Sequence, residues 1–361
     1  MANPTLKGHR ALILTTVPVP SGPIDAIRDQ FPDLEIITRV APWGVSEVNG
    51  FSDKDWKDIT LLLTPTVLPT VEQAPRLQFI QLISAGANHP TGFMGAFSLV
   101  RHVFTVNADD EDRPQIAEWI ILTYLSFNRH MSTYWEAQKE GRWKLKPGNP
   151  AISEDVVGKR IGILGYGSIG RQTARVAKAL GMDVYAYTLS PKTTPEPRRD
   201  DSYAPRGLGD PDGSLPSKWF SGGSRQDVHA FLASGLDLLV VATPLTSQTR
   251  QLLAREEFEL LSKSGRTYVA NISRGEVIQT DDLVDALNNG LISGAALDVT
   301  DPEPLPDGHP LWSARNVTLT PHISASTGSY YPRLLDLFRM NLERLSKGEP
   351  LINGVDRDKG Y

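Results

Sequence analysis

Arg274, Glu303 and His322 follow, in chain order, a glycine pattern at Gly165, Gly167 and Gly170. A guanidinium is planar and forked, so Arg274 suits a carboxylate and an adjacent oxo oxygen at once. An imidazole paired with a carboxylate, His322 with Glu303, suits proton transfer. A nucleotide-binding turn upstream of this trio would hold the cofactor that carries the hydride. The set is what is needed to pass a hydride to an oxo acid and a proton to its oxygen.

The turn reads Gly165-Tyr166-Gly167-Ser168-Ile169-Gly170. Glycine clusters also mark ordinary turns, so the flanks matter. A compact apolar strand at 160–164 precedes it, and a helical apolar set follows (Ile169, Ala174, Val176, Ala177, Leu180), stopping at Gly181. In such a turn the first glycine permits the bend, the second lets backbone approach a pyrophosphate, and the third packs helix on strand. Ser168 and Ile169 then open a helix whose N–H groups and dipole favour phosphate.

The trio itself needs positioning elements, and the sequence supplies three strand-like runs. Asn271-Ile272-Ser273-Arg274-Gly275 follows the run 268–272, which puts Arg274 at a strand's carboxyl end, where ligands of open α/β sheets sit. The run 294–299, with Asp298 near its end, leads into Asp301-Pro302-Glu303-Pro304, whose prolines predict a fixed, extended loop around Glu303. Thr320-Pro321-His322-Ile323-Ser324 follows the run 317–320. Taken singly, an arginine can pair with a structural carboxylate and a histidine can be packing. Three such residues after three strands emerge on the face that holds the nucleotide.

At the end of the second strand, 183–188, a dinucleotide domain preferring NAD places an acidic residue on the ribose hydroxyls. Here that position is Thr188, and Asp183 stands too early for the role. A carboxylate would repel a 2′-phosphate and a threonine would not. Ser190, Lys192, Arg198 and Arg199 lie just beyond and can supply donors and positive charge. NADP(H) is therefore favoured, NAD(H) being the alternative.

The bulk properties allow this chemistry. A chain of 361 residues predicts about two domains with a sizeable core. Its 37 basic and 42 acidic residues give a net charge of −5, and the pI is near 5.8, which argues against nucleic-acid binding. The absence of cysteine excludes disulfides and thiolate catalysis, and no metal site is expected. No signal-like start and no membrane-length apolar run are visible, so a soluble, cytoplasmic protein is expected.

Strand-like runs alternate with helical patterns throughout, which predicts parallel βαβ units. Early strands are expected at 11–15, 34–37, 59–63 and 79–83, with helical pieces at 25–30 and 70–74. A long apolar helix is predicted over 113–131, then a polar, tryptophan-bearing stretch at 134–143. The run 238–242 supplies a further strand, followed by Thr243-Pro244-Leu245-Thr246. Between Ser190 and Gly223, clustered Pro, Gly, Asp and Arg without periodicity predict one extended loop.

These segments resemble the D-isomer-specific 2-hydroxyacid dehydrogenase family. The resemblance rests on Gly165–Gly170, Pro244-Leu245-Thr246, the 271–275 motif with its following helix 280–287, the 297–304 segment, and 316–327. It reaches back to Leu82-Ile83-Ser84-Ala85-Gly86 and Ala117-Glu118, and forward to Leu351-Ile352-Asn353, so it covers most of the chain. It implies an α/β fold with a Rossmann-type doubly wound parallel sheet inserted in a smaller flavodoxin-like α/β substrate domain. The substrate domain would comprise 1–108 and 328–361, and the dinucleotide-binding domain 109–327, with the active site in the cleft between them. Arg274 would then grip the substrate carboxylate and oxo oxygen, with backbone N–H groups of Ala85 and Gly86 completing that site. His322 would be the proton donor, and Glu303 would hydrogen-bond and orient its imidazole. Asp298 would lie near the nicotinamide carboxamide or cap local backbone. Thr188, Ser190, Lys192, Thr243, Pro244, Thr246, Ile272, Ser273, Asp298 and His322 join the glycine turn in facing the cofactor. Homodimerisation would engage 113–131 and the arm around Trp143.

The implied activity is hydride transfer between NAD(P)H and a small 2-oxo acid, with glyoxylate and hydroxypyruvate the leading substrates. The competing reading is a non-catalytic NAD(H)-sensing interaction protein, like the corepressors that share this fold and the same trio. Two features depart from the family pattern: Thr188, and the length of the 190–223 segment. That segment is expected to fold beside the adenosine end and help select the cofactor. The acidic run Asp109-Asp110-Glu111-Asp112 is expected to be a solvated turn near the domain crossover.

Overall fold

The computed structural model describes residues 3–83, 104–106, 113–143, 153–200, 207–265 and 267–354. The chain forms two compact units, Met1–Asp112 with Thr327–Tyr361, and Arg113–Ser326.

In the first unit, β1 (Arg10–Thr15), α1 (Ser21–Gln30), β2 (Glu35–Val40), α2 (Asp53–Trp56), β3 (Leu61–Thr64), β4 (Phe79–Leu82) and β5 (Phe104–Val106) build a parallel sheet ordered β2-β1-β3-β4-β5. This is the flavodoxin-like order. β1 alternates strictly. Ala11 and Ile13 enter one core with Ile24, Ile27 and the C-terminal helix Tyr330–Lys347, while Leu12 and Leu14 enter the other. That helix packs Phe338 on Phe79 with ring centroids 5.9 Å apart. Its buried Asn341 binds Ile352 through both amide groups and reaches Gln81, which fastens the stretch around Ile352 to the sheet. The expected helical piece at 70–74 is a single turn. Ala74 N reaches Thr70 O, but Pro75 has no N–H with which to continue.

In the second unit, α3 (Arg113–Asn128) and α4 (Met131–Lys139) precede β6 (Arg160–Leu164), α5 (Ser168–Ala179), β7 (Asp183–Thr188), α6 (Pro195–Arg198), β8 (Lys218–Ser221), α7 (Arg225–Leu232) and β9 (Leu238–Val241). Then come α8 (Arg255–Ser264), β10 (Tyr268–Asn271), α9 (Thr280–Asn288), β11 (Gly294–Leu297) and β12 (Val317–Leu319). The strands form one parallel sheet ordered β12-β11-β10-β9-β6-β7-β8. The chain runs outward from β6 through β7 to β8, then returns to β9 on the other side. The switch point of this doubly wound sheet therefore lies between β6 and β9. Alternation again separates two cores: Leu238, Val240, Tyr268 and Ala270 face α3 and α5, while Leu239, Val241 and Val269 face α7, α8 and α9.

Two expectations for this unit are corrected. The predicted helix over 113–131 ends at Asn128, whose side chain donates to the Tyr124 carbonyl, and His130 adopts φ 56°. A left-handed residue closes the helix, and α4 starts afresh behind it. The segment from Ser190 to Gly223 is not one extended loop, because it contains α6 and the sheet's edge strand β8. Lys218-Trp219-Phe220-Ser221 is too short a run for periodicity to show among so many prolines, and pairing with β7 makes it a strand.

Candidate active site

The carboxyl ends of adjacent strands are tied to each other one after another. Ala242 N donates to Leu164 O at 2.9 Å, Ile272 N to Val241 O at 3.2 Å, Asp298 N to Asn271 O at 3.1 Å, and Thr320 N to Leu297 O at 3.0 Å. The loops that follow β6, β9, β10, β11 and β12 thus leave one edge of one sheet in register. Gly165, Thr243, Arg274, Glu303 and His322 ride on those five loops, at the edge where such sheets bind ligands.

Each glycine of the turn meets a different constraint. Gly165 has φ +105°, and a Cβ there would lie 2.6 Å from the Ala242 carbonyl oxygen, so it permits both the bend and the approach of the β9 loop. At Gly167 nothing lies within 4 Å of a Cβ, which leaves its backbone open to a ligand. Gly170 sits where a Cβ would be 2.6 Å from the Gly165 carbonyl oxygen, so α5 packs directly on the turn. Gly167 caps α5 without a side-chain hydrogen bond, and no acidic residue stands in the first turn. Ser168 begins the helix, and Ile169 packs partly buried against the core beneath.

Across the switch point, Thr243 Oγ1 is buried without a hydrogen-bond partner. A buried hydroxyl left unpaired is costly, and a polar ligand in the crevice would satisfy it. The Thr243 carbonyl accepts from Ser273 Oγ, which joins the β9 and β10 loops. Pro244 is exposed and its carbonyl accepts from Thr249 Oγ1, while Thr246 and Thr249 bond each other's backbone in a tight turn. The open glycine, the helix end without a side-chain cap and the orphaned hydroxyl all fit a dinucleotide phosphate.

Arg274 lies half-buried immediately after β10. Its Nη1 donates to the Ser273 carbonyl at 2.8 Å, and its own carbonyl accepts from Asn271 Nδ2 at 3.1 Å. Ile272, half-buried, and Ser273, buried, complete the turn. At Gly275 a Cβ would lie 2.0 Å from the carbonyl of Thr300 and 2.5 Å from Asp301 N. Only glycine lets the chain that carries Glu303 pass this close behind Arg274. That chain is further fastened by Thr280 Oγ1 donating to the Asp301 carbonyl at 2.8 Å and Thr300 Oγ1 to the Pro302 carbonyl at 2.9 Å.

His322 Nδ1 lies 2.7 Å from Glu303 Oε1. With Nδ1–H donating to the carboxylate, the ring orientation is fixed and Nε2 is the nitrogen turned from Glu303. His322 has φ 54°, and its backbone N donates to the Asp298 carbonyl at 2.8 Å. The buried Asp298 carboxylate accepts from Thr320 Oγ1 at 2.5 Å and Ile323 N at 2.9 Å on one oxygen, and from Ser324 N at 2.9 Å on the other. Of the two roles expected for it, the backbone cap is the one seen here, and the cap holds the turn that presents His322.

At the end of β7, Thr188 Oγ1 donates to the Ser190 carbonyl at 2.8 Å. Lys192 is half-buried, and its carbonyl accepts from Arg198 Nε at 2.8 Å. The Arg198 guanidinium lies over the Trp219 ring at 5.5 Å, so it is held by packing, whereas Arg199 is exposed. Asp183, set aside on sequence grounds, accepts from Ser217 Oγ at 2.5 Å. Ala85 and Gly86 lie outside the described residues, as does the acidic run 109–112.

Three residues at the turn carried no expected role: Tyr166, Arg171 and Asp210. All are buried and joined to one another. A charged side chain directly after the third glycine was the available signal for Arg171. Nothing local marks Asp210.

The family model described as D-isomer specific 2-hydroxyacid dehydrogenase, NAD binding domain, matches residues 121–205 and 218–324. A hydroxypyruvate reductase of Blautia hydrogenotrophica is 29% identical over 299 residues, 81% of this chain and 83% of that protein. Glyoxylate/hydroxypyruvate reductase A of Salmonella newport is 30% identical over 247 residues, 68% of this chain and 69% of that protein. The crystal structure of a D-isomer specific 2-hydroxyacid dehydrogenase from Xanthobacter autotrophicus Py2, in complex with NADPH and MES, covers 98% of this chain and 100% of its own at 27% identity and TM-score 0.74. The match over the dinucleotide sheet and the order of the strand-end loops lead to one conclusion: this chain belongs to the D-isomer specific 2-hydroxyacid dehydrogenase family.

Proposed function

We propose that this chain reduces a small 2-oxo acid of the glyoxylate or hydroxypyruvate type to the corresponding 2-hydroxy acid, of D configuration where the product is chiral, with NADP(H) preferred over NAD(H). The observation that carries the reading is the 2.7 Å contact of His322 with Glu303 on the sheet edge that also presents Arg274 and the glycine turn. The names of the matched reductases support the substrate class. The cofactor supplies a hydride when bound. Arg274 holds the carboxylate and polarises the oxo oxygen, His322 delivers a proton from Nε2 to that oxygen, and Glu303 keeps the ring aimed and offsets the imidazolium charge. Gly165, Gly167, Ser168, Ile169 and Gly170 cradle the phosphates, and Thr243 Oγ1 gains the partner it lacks.

The preference for NADP(H) rests on Thr188 in place of a carboxylate, with Ser190 and Lys192 beyond it, and the NADPH complex of the Xanthobacter relative supports it. Arg198 acts on the same segment by holding the Lys192 carbonyl. Oxidation followed at the nicotinamide band with a panel of 2-oxo acids tests both points. Turnover with glyoxylate or hydroxypyruvate is expected, faster with NADPH than NADH. Lys192→Ala should lower kcat/KM for NADPH by about 10-fold, the scale of one charge-assisted hydrogen bond, with NADH little changed. Tight cofactor binding without turnover of any acid would sink the reading, and a strong NADH preference would sink the selectivity.

Gly275→Ala should separate chemistry from binding. A methyl group there must push the Thr300–Asp301 backbone aside and carry Glu303 with it. A displacement near 1 Å costs on the order of 10²-fold in rate. We expect that loss in kcat with NADPH affinity nearly intact, and unchanged kcat would show that the close passage is incidental.

We further propose a homodimer formed through α3 and α4. Leu122, Trp135 and Trp143 are 62%, 48% and 98% exposed on and beyond these helices, an apolar display that a second copy would cover. No helix among the described residues is long and apolar enough to cross a membrane.

A further inference from the structure

The stretch between β7 and β8 folds back onto the glycine turn and meets it through a buried polar network. Arg171, in the first turn of α5, is 4% exposed. Its Nη1 donates to the Asp210 carbonyl at 2.5 Å, its Nη2 to the Arg198 carbonyl at 2.8 Å, and its Nε lies 3.3 Å from Asp200 Oδ2. The guanidinium carbon sits 5.2 Å from the Tyr166 ring centre. Tyr166, the residue between the first two glycines, donates its hydroxyl to Asp210 Oδ2 at 2.8 Å and meets Trp219 edge-on at 5.0 Å. Gln172 Oε1 adds a bond from Gly209 N at 2.8 Å.

Asp210 is the hub. The residue is 3% exposed, and its carboxylate accepts from Tyr166 Oη, from Ser214 N at 3.0 Å and Oγ at 3.4 Å, and from Leu215 N at 3.2 Å. Among the described residues every hydrogen bond of the carboxylate is one that it accepts, a set of partners that an amide, with its own N–H donors, would not match. Burial, and then the Asp210 charge, raises the Tyr166 pKa far above its ordinary value, so the phenol remains a donor. The backbone of the same residue forms the phosphate turn, where Gly165 N and Tyr166 N both donate to the Tyr187 carbonyl at 3.1 and 3.2 Å. Gly167 has no side chain with which to fix itself, so the shape of the turn depends on what holds Tyr166 and Arg171 on either side.

We propose that the 207–217 segment is a positioning brace for the dinucleotide turn, in which Asp210 sets the affinity for the cofactor through Tyr166 and Arg171. The same network holds the Arg198 carbonyl, while the Arg198 side chain holds Lys192, so the turn and the segment expected to select the cofactor are fixed together. Asp210, Tyr166 and Arg171 are positioning residues. The inference rests on the NADP(H) reading above and adds a determinant that lies in neither the glycine motif nor the Arg274, Glu303 and His322 set.

The test compares wild type, Tyr166→Phe and Asp210→Asn by NADPH fluorescence titration, and by steady-state kinetics with glyoxylate. Tyr166→Phe removes one buried hydroxyl bond and should weaken NADPH binding by about 3- to 10-fold. Asp210→Asn puts an amide donor among donors and should weaken it further, by about 10- to 30-fold. KM for NADPH should rise in step, with kcat at saturating NADPH and KM for glyoxylate nearly unchanged. A loss of kcat without a change in NADPH KM would mean that the network only maintains the fold, and would overturn the proposal. Should Asp210→Asn fail to fold, Tyr166→Phe decides alone. Wild-type affinity in the variants overturns the brace and leaves the NADP(H) reading standing, whereas no NADPH binding by wild type removes both.

Discussion

Replacing His322 by alanine is expected to lower the rate of 2-oxo-acid reduction by about 10²–10⁴, the usual contribution of a positioned general acid. The imidazole is oriented by Glu303 at 2.7 Å on Nδ1, so its loss removes the proposed proton donor and the carboxylate's partner at that nitrogen. Residue 322 holds φ 54°, a conformation that costs a side chain with a Cβ about 1–2 kcal/mol, a cost that histidine already bears and alanine keeps. His322→Asn is the better probe, since asparagine tolerates that backbone and carries no imidazole. Both variants should lose rate alike, and the asparagine variant should retain more thermal stability. NADPH affinity should change little, because the backbone N of residue 322 stays bonded to the Asp298 carbonyl. Near-wild-type kinetics in His322→Asn would remove the histidine from the mechanism. Glu303→Gln should cost less, because an amide oxygen still accepts from Nδ1–H and only the charge is lost.

Arg274→Ala is expected to raise KM for the oxo acid and lower kcat together, with kcat/KM falling by about 10²–10³. On the proposed mechanism the substrate carboxylate is gripped in ground state and transition state alike, whereas alkoxide charge develops only in the latter, so the two constants separate the two roles. Lysine should not restore activity, because a point charge cannot address a carboxylate and an oxo oxygen as a planar fork does. The local backbone should survive, since the bond from Asn271 Nδ2 reaches the carbonyl and not the side chain of residue 274. A rise in KM alone would assign Arg274 to binding only. With Arg274 and His322 acting on the same oxygen as proposed, the double variant should lose less than the product of the single losses.

Much of this was legible in the sequence because it is encoded locally. The turn from Gly165 to Gly170 announces itself by glycine spacing between an apolar strand and an apolar helix face, and its three glycines meet three different constraints, as their spacing suggests. Alternation set the strands, and loops after neighbouring parallel strands must leave the same sheet edge, so Arg274, Glu303 and His322 could be placed together before any contact was known. Where the reading missed, the structure was non-local or the signal short. Strand β8 is four residues among prolines, and only its pairing with β7 identifies it. The helix over 113–131 ends at Asn128 because the chain turns left-handed at His130, a choice that periodicity does not record.

The sequence by itself determined the family, through an ordered set of motifs, and the sheet edge that gathers Arg274, Glu303 and His322, through period and punctuation read along a few residues. Only the tertiary structure decided which residues support that edge. It made Asp298 a cap beneath His322, pressed the Glu303 loop against Gly275, and brought Asp210 under Tyr166 from 44 positions away. The physical reason is the same in each case: a buried polar group must be paired, and its partner is fixed by packing in three dimensions, which no local pattern along the chain encodes.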